Sequence, residues 1–208
     1  ADVIADVLQQ TGGKHIHVGR LSWLYRWKIR RAMARKQLPS SALEFIPYVP
    51  SVARFLQERQ VDLYLASFPY AGARTAVEAM AAGVAIAGHD HVGQKFLGAV
   101  DMLPPKSCVW STPDQLMAFL AENDRATLRE LGGLARKHYE KFHSPDSLDK
   151  ALQCGGDASG FPPKPLHRPS DKLDAALLRS AQLTFLGVFK RRGVRYFRAL
   201  KAFLSRFR

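Results

Sequence analysis

Residues 61–88 read VDLYLASFPYAGARTAVEAMAAGVAIAG, and this stretch decides the fold. A short apolar strand is predicted over residues 61–67, and a loop follows it. A helix is predicted over residues 75–82, where Gly83 ends it, and a second apolar strand covers residues 84–88. Short apolar strands that alternate with helices are typical of a parallel sheet covered by helices on both faces.

The same alternation continues on both sides of this stretch. We predict strands over residues 14–18, 43–49 and 108–110. We predict helices over residues 4–10, 23–38, 51–60, 94–97, 112–123 and 124–142, the last of them interrupted or weakened at Gly132 and Gly133. The pattern indicates an α/β fold, with one Rossmann-like parallel sheet in residues 1–152. Ligands of such sheets bind at the carboxyl ends of the strands.

The composition changes after residue 152. Residues 153–170 are rich in Pro and Gly and are predicted to form a linker. Residues 171–208 return to helical spacing, and eight Lys/Arg with no acid fall within residues 187–208. We expect a basic amphipathic helix that contacts an anionic membrane surface. Packing against its own domain and binding to nucleic acid are the alternatives, and nucleic acid is not the expected partner.

Bulk properties exclude several classes of protein. The formal net charge is +13, most of it from the basic tail, and charged or polar residues interrupt every apolar run before it could span a bilayer. The two cysteines have no metal-ligand spacing, and we expect them to be reduced in the cytoplasm. The chain begins without Met or signal-peptide features, as if cut from a longer protein.

The turn between residues 67 and 75 carries the predicted chemistry. The first amides of a helix lack helical partners and favour an anion such as phosphate. Gly72 lets the backbone approach a ligand, Thr75 adds a hydroxyl, and Arg74 adds a charge-assisted contact. Glu78 lies one turn further along the same face, where its carboxylate can accept hydrogen bonds from ribose hydroxyls. An ordinary strand-to-helix turn with a solvated Glu78 is the alternative interpretation.

The same stretch resembles the donor-site segment of GT-B fold glycosyltransferases. The resemblance rests on an Asp-led apolar strand, Phe-Pro, a Gly turn, Thr75, and the run from Glu78 through Gly83 to Ile86. It implies the C-terminal, nucleotide-sugar-binding half of such an enzyme, which transfers a sugar to a glycan, lipid-linked or protein acceptor. It further implies no cofactor and no metal. It is compatible with a peripheral location at the inner face of the membrane.

The resemblance also assigns roles to residues. The amides from Gly72 through Ala73 and Arg74 to Thr75 would hold the diphosphate, and Glu78 would bind ribose. The turn around Tyr48 and Pro50 would lie beside the base, and His89 would face the same cleft. The remaining residue implied at the donor site is Tyr70. Catalytic residues stay unassigned, because the acceptor half is missing; the fragment is expected to bind nucleotide weakly and to turn over nothing.

This sequence differs from the family pattern at two positions. Tyr70 occupies the position where many retaining members have a second glutamate, and Ala85 replaces a proline after Gly83. A Phe-Pro-Tyr-x-Gly segment looks nearer to the O-linked N-acetylglucosamine transferase-like group. A catalytically inactive membrane-surface adaptor and a sugar-nucleotide epimerase are the alternative functions. No strand–GxGxxG–helix fingerprint or nucleophile-elbow pattern is present.

Two further residue pairs and the spacing of the strands also allow predictions. His15 and His17 alternate with apolar residues, so we expect them on one strand face in structural roles. Trp23 and Trp27 lie among cations at helical spacing, which favours a core or interface position over nucleic-acid stacking. The spacing of the strands indicates that residues 14–18 form the second strand of the sheet, with the first upstream of Ala1.

Overall fold

The computed structural model describes residues 1–68, 72–90 and 100–153. Within these ranges the protein is α/β with parallel strands, which confirms the predicted class. Several predictions fall outside the described residues: the helix over 94–97, Tyr70, the basic tail over 171–208, and all of the linker except Gln153.

Seven helices and five strands are present in the described ranges. The helices are α1 Asp2–Thr11, α2 Trp23–Arg35, α3 Val52–Glu58, α4 Ala73–Ala82, α5 Pro113–Glu122, α6 Arg125–Phe142 and α7 Pro145–Gln153. The strands are β1 His15–Val18, β2 Leu43–Ile46, β3 Leu63–Leu65, β4 Ala85–His89 and β5 Cys108–Trp110. Two short 3-10 helices cover Ser40–Ala42 and Val100–Met102. Helix α7 was not predicted, and β2 and β3 are shorter than expected.

The strands form two parallel sheets, whereas the sequence predicted one. Strand β1 pairs with β2, with His15 opposite Leu43, and the second sheet has the order β3-β4-β5. In that sheet Leu63 lies opposite Ala85, and Ala87 lies opposite Cys108. No ladder joins β1 to β3 in the described residues, so only the parallel pairing within each of the two sheets is confirmed.

Helices cover both faces of the β3-β4-β5 sheet. Helices α3, α4 and α6 pack on one face around Met80 and Ile86. Helices α1 and α5 pack on the other face, where Leu116 and Trp110 are buried. Helix α1 also packs with α2 against the β1-β2 sheet through Leu8. One helix therefore contacts both sheets.

The ends of the helices follow their sequence signals. Ser51 caps α3 by accepting a hydrogen bond from the Arg54 amide, as predicted. Thr112 opens α5 in a reciprocal capping box with Gln115. Gly83 ends α4 in the left-handed region at φ 73°, where glycine carries no Cβ penalty. These caps fix where the loops at the sheet edges begin.

Helix α6 runs without a break from Arg125 to Phe142, so the predicted interruption is wrong. Gly132 is buried where α6 crosses the end of α4, and a Cβ built on it would lie 2.2 Å from the Gly83 carbonyl oxygen. Gly133 has nothing within 4 Å of its own Cβ position. Gly132 thus serves close helix packing, and its cost in helix propensity is offset by that contact.

None of the described helices combines the length and the apolar character that crossing a membrane requires.

Candidate functional site

The carboxyl ends of β3, β4 and β5 bring three rings together. Phe68 follows β3, His89 ends β4 and Trp110 ends β5. The ring centroids of His89 and Trp110 are 4.3 Å apart, and Phe68 meets Trp110 edge-on at 5.5 Å. The Asp90 amide donates to the Trp110 carbonyl at 2.9 Å, which extends the ladder beyond β4. An aromatic floor therefore lies at the edge where the sequence predicted a ligand.

Helix α4 begins beside this floor, two residues earlier than predicted. Gly72 is its N-cap and provides no side chain for capping, so Ala73 is the first helical residue. The Thr75 hydroxyl donates to the Gly72 carbonyl oxygen at 2.9 Å. A Cβ on Gly72 would lie 2.9 Å from Oγ1 of Thr75. As in any α-helix, the first amides of α4 have no partner within the helix, and such amides favour an anion.

Glu78 holds two elements together. Its Oε2 accepts hydrogen bonds from the amides of Val52 at 2.7 Å and Ala53 at 3.3 Å. These are the first amides of α3, so the carboxylate caps a second helix at its positive end. Its Oε1 lies 3.3 Å from Nε of Arg74, whose side chain is 91% exposed. The Glu78 side chain itself is 24% exposed.

Tyr64 was not singled out from the sequence, yet it lies next to this carboxylate. Burial raises the pKa of the Tyr64 hydroxyl; a hydrogen bond with Thr75 acts in the opposite direction, and the charge of Glu78 raises it further. Tyr64 therefore stays neutral at physiological pH, as a hydroxyl able to donate or accept. The sequence predicts that Tyr64 lies in a strand, but it does not predict that Thr75 and Glu78 of α4 are its neighbours.

The turn predicted to lie beside a base is distant from Glu78 along the chain but is joined to it through the start of α3. Tyr48 is 74% exposed, and Pro50 and Ser51 lead directly into Val52. Because Val52 is hydrogen-bonded to Glu78, the end of the turn is anchored at the start of α4. The structure therefore brings the region around Tyr48 and Pro50 to the same edge as Gly72, Arg74 and Thr75. Tyr70 lies outside the described residues.

The histidines of β1 form a separate cluster. The rings of His15 and His17 are 6.2 Å apart, which confirms that they share a strand face. Burial, and then the charge of His17, lower the pKa of His15 to about 4. Burial and then Arg26 lower the pKa of His17. Both rings are therefore neutral at pH 7, and Phe45 packs against His17.

No three His, Cys, Asp or Glu side chains converge as a metal site anywhere in residues 1–68, 72–90 and 100–153. Cys108 is a buried thiol whose pKa is raised to about 11 by burial, so it is neither a nucleophile nor a ready ligand.

A shallow depression lies elsewhere, between α5 and α6 at the amino edge of β5. Its lining residues are Lys106, Phe119, Asn123, Thr127, Glu130, Leu131 and Leu134. It contains none of the residues that the sequence predicted, and ligands of parallel sheets bind at the opposite edge.

Comparison of the chain with protein-family models finds no match, and a search of curated proteins finds none either.

Proposed function

We propose that this chain is the nucleotide-sugar-binding half of a GT-B fold glycosyltransferase. The observation that carries the proposal is the position of Glu78, one turn into a helix that starts from a glycine turn at the carboxyl edge of β3. A diphosphate would lie on the amides of residues 72–75, and the ribose would lie toward Glu78. The ring cluster of Phe68, His89 and Trp110 would form the floor near the sugar.

The arrangement of the two sheets supports the finer fold assignment. A doubly wound sheet has the strand order 3-2-1-4-5-6. If β1 and β2 are its second and third strands, and β3, β4 and β5 its fourth to sixth, the first strand would lie between β1 and β3. No ladder joins these two strands, and α1 covers both sheets beside that position. We propose that a strand directly preceding α1 in the full chain completes the sheet there.

The direction of α1 is consistent with this proposal. Gly12 ends α1 in the left-handed region, and the chain enters β1 at His15. Because α1 therefore leads to the amino end of β1, its own beginning lies toward the carboxyl edge. A preceding parallel strand would end at that edge, close to the start of α1.

Glu78 has two oxygens, and they serve different purposes in this proposal. Oε2 keeps its hydrogen bonds to α3, while Oε1 accepts a hydrogen bond from a ribose hydroxyl. For this, Arg74 leaves Oε1 and turns to the diphosphate, which carries more charge than one carboxylate. The exposure of Arg74 allows that movement, since its only described ion pair is the one with Glu78.

Catalysis by the complete enzyme would depend mainly on positioning and on stabilising the departing diphosphate. The amides of α4 and the guanidinium of Arg74 would supply that stabilisation. The acceptor and any general base belong to the other half, so residues 1–208 alone are expected to bind nucleotide and transfer nothing.

A second candidate function is that of a non-enzymatic adaptor that keeps this fold. The observation that favours it is that Glu78 already caps α3 through Val52, which is a sufficient structural reason for a carboxylate there. In the adaptor, Oε1 of Glu78 would accept no hydrogen bond from a ligand.

Calorimetric titration with UDP, GDP and their sugar conjugates separates the two candidates. A Glu78→Gln variant keeps an oxygen for the Val52 amide but removes the charge. Glu122→Gln, at the exposed end of α5, is the matched control. The donor-domain proposal predicts saturable binding that the first variant weakens and the control keeps. A folded wild-type chain that binds no nucleotide would support the adaptor.

A further inference from the structure

The beginning of α2 carries large side chains that the fold leaves uncovered. Trp23 is 78% exposed, Tyr25 58% and Trp27 48%, and Leu24 is exposed as well. Helix α2 is nevertheless docked through its other side, where the buried residues are Ile29, Ala32 and Met33. The sequence favoured a core or interface position for the two tryptophans, and the core position is wrong. Exposed apolar residues clustered on one helix commonly mark an interaction surface.

Helical geometry places the uncovered side chains on one surface. Residues four apart lie above one another, so Trp23, Trp27 and Arg31 follow a line along α2. That line is opposite the buried residues Ile29 and Met33. We call the surface formed by Trp23, Leu24, Trp27 and Arg31 the tryptophan face.

The tryptophan face belongs to a helix with strongly unbalanced charge. Helix α2 contains five Lys/Arg and no acid. Among the described residues, only Arg35 of these five has a carboxylate partner, Asp2. Lys28 lies over the Tyr25 ring at 5.5 Å, and Arg31 lies over the Trp27 ring at 5.1 Å. The cations therefore flank the aromatic rings and keep their charge available for an anionic partner.

We propose that the tryptophan face binds the surface of an anionic lipid bilayer. Indole rings favour the headgroup level of a bilayer, because they present an apolar body and a polar N–H. Lys and Arg beside them meet anionic headgroups and add electrostatic attraction to such a surface. Leu24 fits the acyl boundary but offers no flat ring for stacking on a base, which favours lipid over nucleic acid. This proposal is independent of the donor site.

Tryptophan emission tests the proposal on the full chain. The sequence has three tryptophans, and none lies after Trp110, so the basic tail contributes no signal. Trp110 is buried, which leaves Trp23 and Trp27 to report on a change of environment. Vesicles of phosphatidylglycerol and phosphatidylcholine are expected to shift the emission to shorter wavelength, and pure phosphatidylcholine vesicles are not.

Two variants identify the surface responsible. Trp23→Ala with Trp27→Ala removes the shift, which shows that the signal comes from these two residues and not from Trp110. Lys28→Glu with Arg31→Glu keeps the tryptophans and moves the shift to higher lipid concentration. The matched control is Lys137→Glu with Lys150→Glu, two exposed positions on α6 and α7, and it leaves the shift unchanged.

Three outcomes overturn the proposal. The first is a folded wild-type protein whose emission does not move with anionic vesicles. The second is a shift that persists without Trp23 and Trp27. The third is emission that is quenched by an oligonucleotide and left unmoved by vesicles, which assigns the face to nucleic acid.

Discussion

The amide of Val52 donates a 2.7 Å hydrogen bond to Oε2 of Glu78, although 26 residues separate them in the chain. This contact joins the loop that follows β2 to the first turns of α4, which follows β3. It therefore holds two of the loops in which the sequence placed donor-site residues. The same carboxylate serves the fold through Oε2, while its Oε1 lies near Nε of Arg74.

Loss of the Glu78 carboxylate is expected to destabilise the protein. Glu78→Ala leaves the partly buried amides of Val52 and Ala53 without their partner, at a cost of about 1–3 kcal/mol in the free energy of unfolding. Glu78→Gln keeps an acceptor and costs less. Urea denaturation of both variants checks the order, and equal stability of Glu78→Ala and wild type would contradict the capping role.

The crossing of α4 and α6 requires glycine at residue 132. Gly132→Ala places a Cβ 2.2 Å from the Gly83 carbonyl oxygen, so the two helices must separate. We expect a loss of at least about 2 kcal/mol in unfolding free energy. Gly133→Ala is the matched control: residue 133 is exposed with open space around it, and the change should stabilise by about 0.5–1 kcal/mol. Similar thermal midpoints for the two variants would contradict the packing described.

According to the donor-site proposal, Gly72 matters more for nucleotide affinity than for the stability of the fold. The φ of Gly72 is −76°, which alanine also adopts, and among the described residues the new Cβ would meet only the hydroxyl of Thr75. We expect Gly72→Ala to fold with a nearly unchanged thermal midpoint. If the diphosphate lies on these amides, its affinity should fall about tenfold, because the methyl group crowds the approach. If a nucleotide binds wild type and Gly72→Ala with the same affinity, its diphosphate does not lie on the amides of residues 72–75.

The buried histidine of β1 makes stability depend on pH. Because the pKa of His15 falls from 6.5 to about 4 on folding, the unfolded chain binds more protons between these values. Its contribution to stability is therefore present above pH 6.5 and is lost as the pH falls toward 4, by up to about 3 kcal/mol. His17 shifts in the same direction.

His15→Gln isolates that contribution. The variant should show a shallower fall in unfolding free energy between pH 6.5 and pH 4, measured by urea denaturation at several pH values. His143→Gln is a useful comparison, because burial lowers the pKa of His143 as well, and its effect adds to that of His15. Parallel curves for His15→Gln and wild type would contradict the burial of an uncharged imidazole.

Local signals predicted most of the elements correctly. Neighbouring residues predict the strand before Gly72 and the helix after it, and the structure has both. They also predict the cap at Ser51 and the helix end at Gly83, which the structure has as well. Helix α4 begins at Ala73, directly after Gly72, which is two residues before the predicted start at residue 75.

Contacts between distant segments were not predictable in the same way. The pairing of Glu78 with Val52 and the fit of Gly132 against Gly83 depend on how helices cross, which no local pattern contains. Propensity alone predicts that the glycine pair interrupts or weakens α6, whereas the helix is continuous and Gly132 packs against Gly83. The division of the described strands into two sheets was likewise not predictable, because no local pattern says which strands pair.

Amide chemical-shift mapping tests the central claim most directly. In a ¹⁵N-labelled sample of the chain titrated with UDP or GDP, the amides of residues 72–75 should shift most, with saturable changes at Val52, Ala53 and His89. Glu78→Gln should weaken the saturation, while the pattern of shifting residues stays the same. If a folded sample shows no shifts at millimolar nucleotide, or shifts only at the amino edge around Lys106 and Asn123, the donor-site account is wrong.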